Sequence, residues 1–315
     1  MNDVTGNDMT AQIPFRKVAV IGFGLLGGSI ARAVRAHLPG IALSGWDADS
    51  AVRTRARELA LADTIPENAA DAVRGADLVV FCVPVGAMAA AAAEVAEGLE
   101  PGVLISDVGS SKQTVARELA KALPGRAIIP AHPVAGTEHS GPDAGFASLF
   151  HNRWCIITPP ADADQDQLAR LTRFWEAIGA RVETMDAAHH DLVLAVTSHL
   201  PHLIAYTIVG TASDLEEVTR SEVIKYSAGG FRDFTRIAAS DPTMWRDVFL
   251  SNRDAVLEML QRFTEDLTAL QRAIRVGDGD ALFDHFTRTR AIRRSIIEEG
   301  QDDARPDFGR SHEEG

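Results

Sequence analysis

The stretch VAVIGFGLLGGS, residues 18–29, runs from a β-branched apolar segment directly into three glycines spaced G-x-G-x-x-G. Gly22 permits a tight turn after a strand, Gly24 lets the backbone approach a ligand, and Gly27 allows the next helix to pack against the strand. The N–H groups at the start of that helix attract an anion such as a pyrophosphate. The stretch therefore predicts a strand, a turn and a helix that together bind a dinucleotide.

An acidic residue follows at the distance that such a loop requires. Asp47 ends the next apolar segment, 20 residues beyond Gly27, where a carboxylate accepts hydrogen bonds from ribose hydroxyls and repels a 2′-phosphate. No arginine follows before Arg53, so the sequence favours NAD over NADP. The structural alternative is a glycine-rich turn without a ligand, followed by a solvated aspartate.

Short apolar segments alternate with helix-length segments between Lys17 and about Met185. Near-continuous apolar strands separated by helices are typical of a parallel sheet covered on both faces. The pattern predicts a doubly wound, Rossmann-type α/β domain over residues 16–186. The predicted strands lie in KVAVIGF, IALSGWD, DLVVFCVP, GVLISDV, AIIPAH, WCIITPP and ARVETMD.

Beyond residue 186 the strand pattern stops, and apolar residues recur every three or four positions, which is typical of amphipathic helices. Asp241 followed by Pro242 predicts the start of one of these helices, because aspartate is a good N-cap and proline suits the first turn. We predict an all-α C-terminal domain over residues 187–298. Its high apolar content favours burial against a second copy of the chain.

The composition is that of a globular protein of about two domains, with 315 residues of which 46% are apolar. The formal net charge is −13, which argues against nucleic acid or an anionic membrane as a partner, because either needs a basic face. Cys82 and Cys155 lie in apolar segments and are predicted to be reduced. With no leader-like N-terminus and no apolar run of about 18 residues, the chain is predicted to be soluble and cytoplasmic. The polar tails 1–15 and 299–315 are predicted to be disordered.

Small and polar residues follow the third and fourth predicted strands. The carboxyl ends of the strands line the ligand crevice of a doubly wound sheet, so these residues are expected near the cofactor. Ser110 also suits an N-cap for the helix that begins near Lys112, and the two roles are compatible. The residues expected at the cofactor are Gly22, Gly24, Leu25, Leu26, Gly27, Asp47, Val83, Pro84, Asp107, Gly109, Ser110 and Ser111.

His132 follows the fifth predicted strand in IIPAHPVAGTEHSG, residues 128–141, and Pro133 favours an extended backbone for it. An imidazole titrates near neutral pH, so a histidine at a nicotinamide site is suited to accept a hydroxyl proton as hydride leaves the substrate. The alternative is a histidine that bonds loop carbonyl groups. Thr137 and Glu138 are expected to orient the loop or the substrate, and Glu138 equally suits a solvated position.

Two further histidines lie three residues apart in TSHLPHLIA, residues 197–205. His199 and His202 share one face of a helix, and Pro201, which has no N–H to donate, predicts a kink near Thr197. A zinc site would need more ligands, and the segment offers neither a carboxylate nor a cysteine, so no metal is predicted. The alternative to a functional site is a pair of core histidines with neighbouring hydrogen-bond partners.

The segment AGGFRDFTRIAASDPTMWRDVF, residues 228–249, contains an arginine beside two glycines. Gly229 and Gly230 are expected to interrupt the helical pattern, and a short amphipathic turn then places Asp233 and Arg236 three residues apart. A guanidinium binds a carboxylate through charged hydrogen bonds worth about 1.5 to 3 kcal/mol. The alternative is an ion pair between Asp233 and Arg236 on one helix.

Taken together, these motifs resemble the prephenate and arogenate dehydrogenases of tyrosine biosynthesis. The matching stretches occur in the family's order over roughly residues 16–295: VIGFGLLGGSIARA, DVGSSK, PAHPVAGTEHSG, TSHLPHLIA and GGFRDFTRIAASDPTMWRDVF. The resemblance implies oxidative decarboxylation of an anionic cyclohexadienol, prephenate or arogenate, with hydride transfer to NAD or NADP. Asp47 then selects NAD.

The resemblance also implies the roles of individual residues. His132 is expected to bond the ring hydroxyl as the catalytic histidine, Ser110 to help orient it, and Arg236 to bind a substrate carboxylate. A homodimer through the helical domain is expected, with the wall around Arg236 serving either its own subunit or the neighbouring one. The other residues expected to shape the substrate pocket are Thr137, Glu138, Ser198, His199, His202, Gly230, Asp233 and Trp245.

Two other functions fit part of the sequence. A 3-hydroxyacid dehydrogenase shares the order of a Rossmann domain followed by helices, but it usually relies on a lysine of the helical domain, and Lys225 is the only lysine after Lys121. A non-catalytic NAD-sensing protein needs only the glycine loop. It would leave the polar clusters around His199 and Arg236 without a purpose.

Overall fold

The computed structural model describes residues 14–137, 139–214, 225 and 229–298. The chain divides into two compact units. The first comprises the residues up to His199 together with Ala239–Val256, and the second comprises Leu200–Ala238 together with the residues from Leu257 onward. The domain boundary expected at residue 186 stays a prediction.

A five-stranded sheet with the strand order β2-β1-β3-β4-β5 forms the centre of the first unit. Every neighbouring pair of strands in it is parallel. This order reverses direction beside β1, as in a doubly wound fold, so the predicted fold class is confirmed. The strands are β1 (Lys17–Ile21), β2 (Ala42–Trp46), β3 (Leu78–Phe81), β4 (Leu104–Asp107) and β5 (Ala127–Ile128).

Helices cover both faces of this sheet. Along β1, Val18 and Val20 belong to one apolar core while Ala19 and Ile21 belong to another, because successive side chains of a strand point to opposite faces. Burial on both faces explains the near-continuous apolar pattern of the strands. The helices of this part are α1 (Leu25–His37), α2 (Ser50–Glu58), α3 (Ala69–Val73), α4 (Met88–Val95), α5 (Lys112–Ala122) and α6 (Gln165–Ala177).

The segment AIIPAH does not form one strand, as the sequence analysis expected. Ile129 makes the last backbone bond to β4, from its N–H to the carbonyl of Ile105, and Pro130 has no N–H with which to continue. The carbonyl of Pro130 instead accepts from Thr158, so the chain changes sheets at this proline.

A second, three-stranded sheet therefore carries His132. It consists of β6 (Ala131–Pro133), β7 (Trp154–Ile157) and β8 (Arg181–Thr184). The β6–β7 pair is antiparallel, with His132 opposite Ile156, and the β7–β8 pair is parallel. The last two predicted strands thus exist, but they lie outside the parallel sheet in which the sequence analysis placed them.

A helical stretch with a change of register follows β8. Helix α7 (Ala187–Leu194) passes through a π-helical segment (Ala195–His199) into α8 (Leu200–Ser213). The ring of Pro201 would clash with the carbonyl four residues earlier, that of Thr197, and the wider π turn relieves this crowding. The helix thus changes type at the position where the sequence predicts a kink, and the kink itself stays a prediction.

The remaining described helices are shorter pieces around Arg236 and two long C-terminal helices. Asp241 caps one of them by accepting from the N–H of Met244 at 2.8 Å, as predicted. Gly229 and Gly230 are the first residues of a described helix, and residues 226–228 lie outside the described residues, so the expected interruption of the helical pattern stays a prediction. These elements are α9 (Gly229–Thr235), a 3-10 turn (Arg236–Ala239), α10 (Pro242–Ser251), α11 (Arg253–Val276) and α12 (Gly279–Glu298).

The helical stretch Ala187–Ser213 has the length and composition of a membrane-spanning helix, with an 18-residue window of mean hydropathy 1.6. This corrects the expectation that no segment of the chain reaches such values. Core helices of globular proteins meet the same criterion. Of this window, 28% is buried, and the buried residues of the helical stretch include His190 and Asp191 of α7, which are hydrogen-bonded within the first unit.

An ion pair between Asp107 and Lys112 is completely buried at the end of β4. The Lys112 ammonium donates to Asp107 Oδ2 at 2.5 Å and to the carbonyl of Ala131 at 2.7 Å, and the carboxylate also accepts from the N–H groups of Gly109 and Ala131. Burial raises the pKa of Asp107 and lowers the pKa of Lys112, and each charge opposes the shift of the other. The pair fastens β4 to β6, the strand that contains His132.

Replacing Asp107 by Asn should destabilise the protein strongly, because it leaves the Lys112 ammonium buried without its counter-charge. We expect a loss of about 3 to 5 kcal/mol in the free energy of unfolding, measured by urea denaturation. Asp71→Ala is the matched control, because Asp71 pairs with Arg74 on an exposed surface, where ion pairs contribute little. Equal midpoints for the two variants would contradict a charged pair in the core.

Candidate active site

The glycine loop after β1 leaves open space where a dinucleotide fingerprint needs it. Gly22 has a φ of +101°, and a Cβ there would lie 2.7 Å from the carbonyl oxygen of Cys82. A Cβ on Gly27 would lie 1.9 Å from the carbonyl oxygen of Gly22, whereas a Cβ on Gly24 would meet no atom within 4 Å. The first and third glycines are thus required by the fold itself, and the second borders free space.

The start of α1 has no anionic group of its own. Gly24 is the N-cap, no side chain caps the helix, and no acidic residue lies in its first turn. Leu25 and Leu26 form this first turn and are half-buried. Free N–H groups at a helix N-terminus bind phosphate, so these residues fit the pyrophosphate of a dinucleotide.

Asp47 lies directly after β2, beside the glycine loop. Its carboxylate accepts from the N–H groups of Phe23 at 2.8 Å and Asp49 at 3.0 Å. Arg53 lies close to the same turn, but its guanidinium is paired with Glu67 at 2.7 Å and donates to the carbonyl of Asp47 at 2.7 Å. The position of the carboxylate suits ribose hydroxyls, and the nearest arginine is engaged elsewhere.

The residues after β3 and β4 lie at the carboxyl ends of parallel strands, as predicted, but two expectations about them do not fit. The carboxylate of Asp107 is fully buried and occupied by its own chain, so it is not available to a cofactor. Ser110 does not cap α5, because the N-cap is Ser111. Val83, Pro84 and Gly109 keep the expected position at this edge.

His132 is the first member of a buried chain of hydrogen bonds. Its Nδ1 lies 2.8 Å from Nε2 of His190, and Nδ1 of His190 lies 2.9 Å from Oδ1 of Asp191. His132 is 7% exposed, and both α7 residues are almost completely buried. The other ring nitrogen of His132, Nε2, makes no hydrogen bond to the part of the chain that the structure describes.

Asp191 anchors this chain to the N-terminus of α5. Its two carboxylate oxygens accept from the N–H groups of Lys112 at 2.6 Å and Gln113 at 3.0 Å. A residue of α7 therefore caps α5, which explains why Ser111 makes no capping bond with its side chain. The Ser111 hydroxyl bonds to that of Ser251 at 2.8 Å instead.

The pKa values of His132, His190 and Asp191 favour two neutral imidazoles and an ionised carboxylate. The pKa of His132 is well below its usual value because of burial first, and because of the charges of His190, Lys112 and His199. Burial also lowers the pKa of His190, against the pull of Asp191. The hydrogen bonds from His190, Lys112 and Gln113 hold the pKa of Asp191 below its usual value despite burial. His132 is thus a neutral base at neutral pH.

The structure also brings together two residues predicted for the substrate pocket. His199 is fully buried, and its ring lies edge-on to that of Trp245 with 6.1 Å between centroids. Asn252 fixes His199, because its Nδ2 lies 3.1 Å from His199 Nδ1 and also donates to the carbonyl of Asp191 at 2.7 Å. Ser198 lies beside His199 in the π segment and is half-buried.

Four of the predicted pocket residues belong to the second unit. Within that unit, the carboxylate of Asp233 lies 3.4 Å from the guanidinium of Arg232. Arg236 begins the 3-10 turn after α9. The four residues are His202, Gly230, Asp233 and Arg236.

The loop after β6 contains the last two predicted residues. Thr137 is exposed, and its hydroxyl accepts from the N–H of His139 at 3.2 Å. Glu138 lies outside the described residues. Farther along, the N–H of Phe146 donates to the Ser29 hydroxyl at 3.1 Å, which ties the loop to α1.

Sequence reasoning missed His190, Asp191 and Asn252. The dipeptide His190–Asp191 lies in a stretch that the sequence analysis used only as evidence for a helix. A signal was present, since two adjacent ionisable residues inside an apolar helix are costly unless they are paired. Their partners lie 58 and 79 residues away in the chain, so spacing alone does not reveal them.

Two protein-family models match most of the chain. The model of the prephenate dehydrogenase nucleotide-binding domain matches residues 30–184, and that of the prephenate dehydrogenase dimerization domain matches residues 186–288. The chain belongs to the prephenate dehydrogenase family. The resemblance drawn from the motifs is thereby confirmed, and the alternatives of a 3-hydroxyacid dehydrogenase and an NAD-sensing protein are not supported.

Individual members of the prephenate dehydrogenase family are similar over nearly the whole chain. A cyclohexadienyl dehydrogenase of Zymomonas mobilis is 47% identical over 90% of this chain and 96% of its own. The crystal structure of a prephenate dehydrogenase of Aquifex aeolicus with hydroxyphenyl propionate and NAD⁺ has a TM-score of 0.83 and 31% identity, covering 89% of this chain and 98% of that one. A Synechocystis arogenate dehydrogenase has a TM-score of 0.76 and 26% identity, covering 89% and 99%.

Two variants of the glycine loop should separate its role in folding from its role in binding NAD. Gly24→Ala should keep the melting temperature, because the new Cβ meets no protein atom, and should weaken NAD binding at least about tenfold, equivalent to 1.4 kcal/mol. Gly27→Ala should lower the melting temperature itself, because its Cβ would overlap the Gly22 carbonyl. Calorimetry gives both quantities, and wild-type NAD affinity in Gly24→Ala would contradict the site.

Proposed function

We propose that this chain is an NAD-dependent prephenate or cyclohexadienyl dehydrogenase, which oxidatively decarboxylates prephenate, arogenate or both in tyrosine biosynthesis. The products would be 4-hydroxyphenylpyruvate and tyrosine, respectively. The observation that carries the proposal is a buried, neutral His132 whose Nδ1 is bonded and whose Nε2 is left for a substrate. Family membership and the 47% identical cyclohexadienyl dehydrogenase support it.

The reaction explains why the site needs a base rather than a nucleophile. NAD supplies the hydride acceptor when it is bound. His132 withdraws the proton of the ring hydroxyl as the hydride leaves C4 of the ring, and loss of the ring carboxylate as carbon dioxide completes an aromatic ring. The phenolate oxygen that results takes up one proton, which gives the hydroxyl group of the product. Such base assistance contributes about 10²- to 10⁴-fold to the rate. Because the pKa of His132 is lowered, its base form prevails at neutral pH, and activity should fall as the pH drops through that pKa.

The cofactor would be held by residues around the glycine loop. We assign the pyrophosphate to the start of α1 and the adenosine ribose to Asp47, which favours NAD over NADP. The carboxyl ends of β3 and β4 would complete the site. The proposed cofactor residues are Gly22, Gly24, Leu25, Leu26, Gly27, Asp47, Val83, Pro84 and Gly109.

The substrate would be recognised through its hydroxyl and its carboxylates. We assign the hydroxyl to His132 with Ser110 beside it, and one carboxylate to Arg236. Ser110 is half-buried, and its hydroxyl makes no hydrogen bond to the described part of the chain, which suits a contact to substrate. The other proposed pocket residues are Thr137, Glu138, Ser198, His199, His202, Gly230, Asp233 and Trp245.

We propose a cytoplasmic homodimer formed through the C-terminal helices. The family model of this segment is a dimerization domain. Large apolar side chains on the two long helices are more than half exposed, as is usual for a surface that a second copy covers. They are Leu257, Ile274, Val276, Phe283, Phe286 and Ile292.

The absorbance of NADH, followed with each pairing of prephenate or arogenate with NAD or NADP, tests the function. We expect NADH from at least one cyclohexadienol and little or no NADPH. His132→Asn should lower kcat by about 10²- to 10⁴-fold with a nearly unchanged KM, since it removes the base and not the binding groups. Absence of signal with both substrates would refute the function, and a His132→Asn variant with most of its turnover would remove His132 from the mechanism.

Arg236→Gln should act on substrate affinity instead. Loss of a charged hydrogen bond to a carboxylate corresponds to about 1.5 to 3 kcal/mol, or roughly 10- to 150-fold in KM, with a smaller change in kcat. Arg232→Gln is the matched control, since Arg232 lies in the same turn of chain and contacts Asp233. An unchanged KM in Arg236→Gln would assign this arginine a structural role only.

A further inference from the structure

We infer that His190 and Asp191 are positioning residues that fix the tautomer of His132 and take up the charge when His132 accepts the substrate proton. The inference rests on the proposed function, because it concerns the same base. It is carried by the buried chain Asp191–His190–His132, with contacts of 2.9 and 2.8 Å.

The carboxylate determines where each proton lies. An ionised carboxylate only accepts hydrogen bonds, so Nδ1 of His190 must donate to Asp191. The neutral ring of His190 then has its lone pair on Nε2, which faces Nδ1 of His132. His132 must therefore donate from Nδ1, and its own lone pair lies on Nε2. The hydrogen-bonded chain Asp191–His190–His132 thus places the basic lone pair of His132 on Nε2. A free neutral imidazole would instead carry its single proton on either nitrogen.

The N-terminus of α5 keeps the carboxylate ionised. Asp191 accepts from the N–H groups of Lys112 and Gln113, and the helix dipole favours a negative charge at this point. The carboxylate is thereby prevented from taking the proton of His190 outright. This arrangement is the same in logic as a triad in which a buried carboxylate orients a histidine, with a second imidazole inserted between the two.

The proton transfer can be followed bond by bond. The O–H bond of the substrate breaks, and its proton forms a bond to Nε2 of His132. The proton on Nδ1 of His132 then passes to Nε2 of His190, and His190 becomes an imidazolium that is paired with Asp191. His132 is left neutral. The positive charge that forms during the reaction therefore comes to rest 2.9 Å from a carboxylate.

The other charged groups near His132 and His190 shift the pKa values of the two rings in both directions. Lys112 lowers the pKa of both histidines, His199 lowers that of His132, and Asp107 raises that of His190. Cys155, opposite Pro133 on β7, is buried and its pKa is raised well above the usual value, so it stays neutral. A protonated His190 lowers the pKa of His132, so the two rings take up one added proton between them, and that proton is stabilised on His190 beside Asp191.

Three variants separate orientation from proton uptake. His190→Gln keeps an acceptor oxygen for Nδ1 of His132 but cannot become a cation, and His190→Ala removes both properties. His189→Gln is the matched control, because His189 is the preceding residue of the same helix and is exposed. NAD affinity and the melting temperature of each full-length variant report whether the fold is retained.

We expect kcat with prephenate and NAD to fall on the order of 10- to 100-fold in His190→Ala, as for other groups that orient a functional histidine. His190→Gln should lie between this variant and wild type, and His189→Gln should match wild type. In both His190 variants the acidic limb of kcat/KM should move to lower pH, because the added proton can no longer rest on an imidazolium paired with Asp191 and His132 must hold it alone in a buried position. Unchanged kcat and an unmoved limb would overturn the inference, and so would a fall in kcat that leaves the limb in place.

Nitrogen NMR of the histidine-labelled full chain tests the tautomer without turnover. We expect the proton of His132 on Nδ1 and an unprotonated Nε2 in wild type and in His190→Gln, but a mixture in His190→Ala. A proton on Nε2 in wild type would overturn the inference even if the enzyme is active. Conversely, a chain that oxidises neither cyclohexadienol but shows the expected tautomer would refute the proposed function and leave the hydrogen-bond chain intact.

Discussion

The carboxylate of Asp191 is the constraint on which the arrangement of the first unit depends. Its two oxygens satisfy four donors from two helices, and they do so from a position that is almost fully buried. Among the described residues, no other side chain caps α5 and no other carboxylate bonds His190. The same ionised group therefore fixes where α5 begins and which nitrogen of His132 is basic.

The concentration of buried charge around His132 has a cost in stability. Asp107, Lys112 and Asp191 are all removed from water, and paired charges in a protein interior often stabilise a fold less than apolar residues of the same size. Their contribution here is to fix the positions of β6 and α7. The ion pair fastens β6 to β4 and the capping carboxylate fastens α7 to α5, so the strand that contains His132 is held by contacts on two sides.

The sequence predicted what local patterns encode and missed what distant contacts encode. The glycine loop, the strands, the cap at Asp241 and the interruption of the α-helix before Pro201 are all visible within a few residues, because each follows from backbone chemistry. The switch between sheets at Pro130 was missed, since the apolar run continues across the proline. His190 and Asp191 were missed because their partners are far away in the chain, and the predicted caps were assigned to the nearest serine for the same reason.

The π segment Ala195–His199 also limits which changes of sequence this helix can accept during evolution. A π turn holds about one residue more than an α turn, and each residue of an α-helix advances the side chains by about 100°. Losing one residue there would leave composition and hydropathy intact, yet it would rotate everything after it relative to His190. Insertions and deletions in this segment should therefore be tolerated less well than substitutions at its exposed positions, and the length of the helix should be inherited more strictly than the identity of its exposed residues.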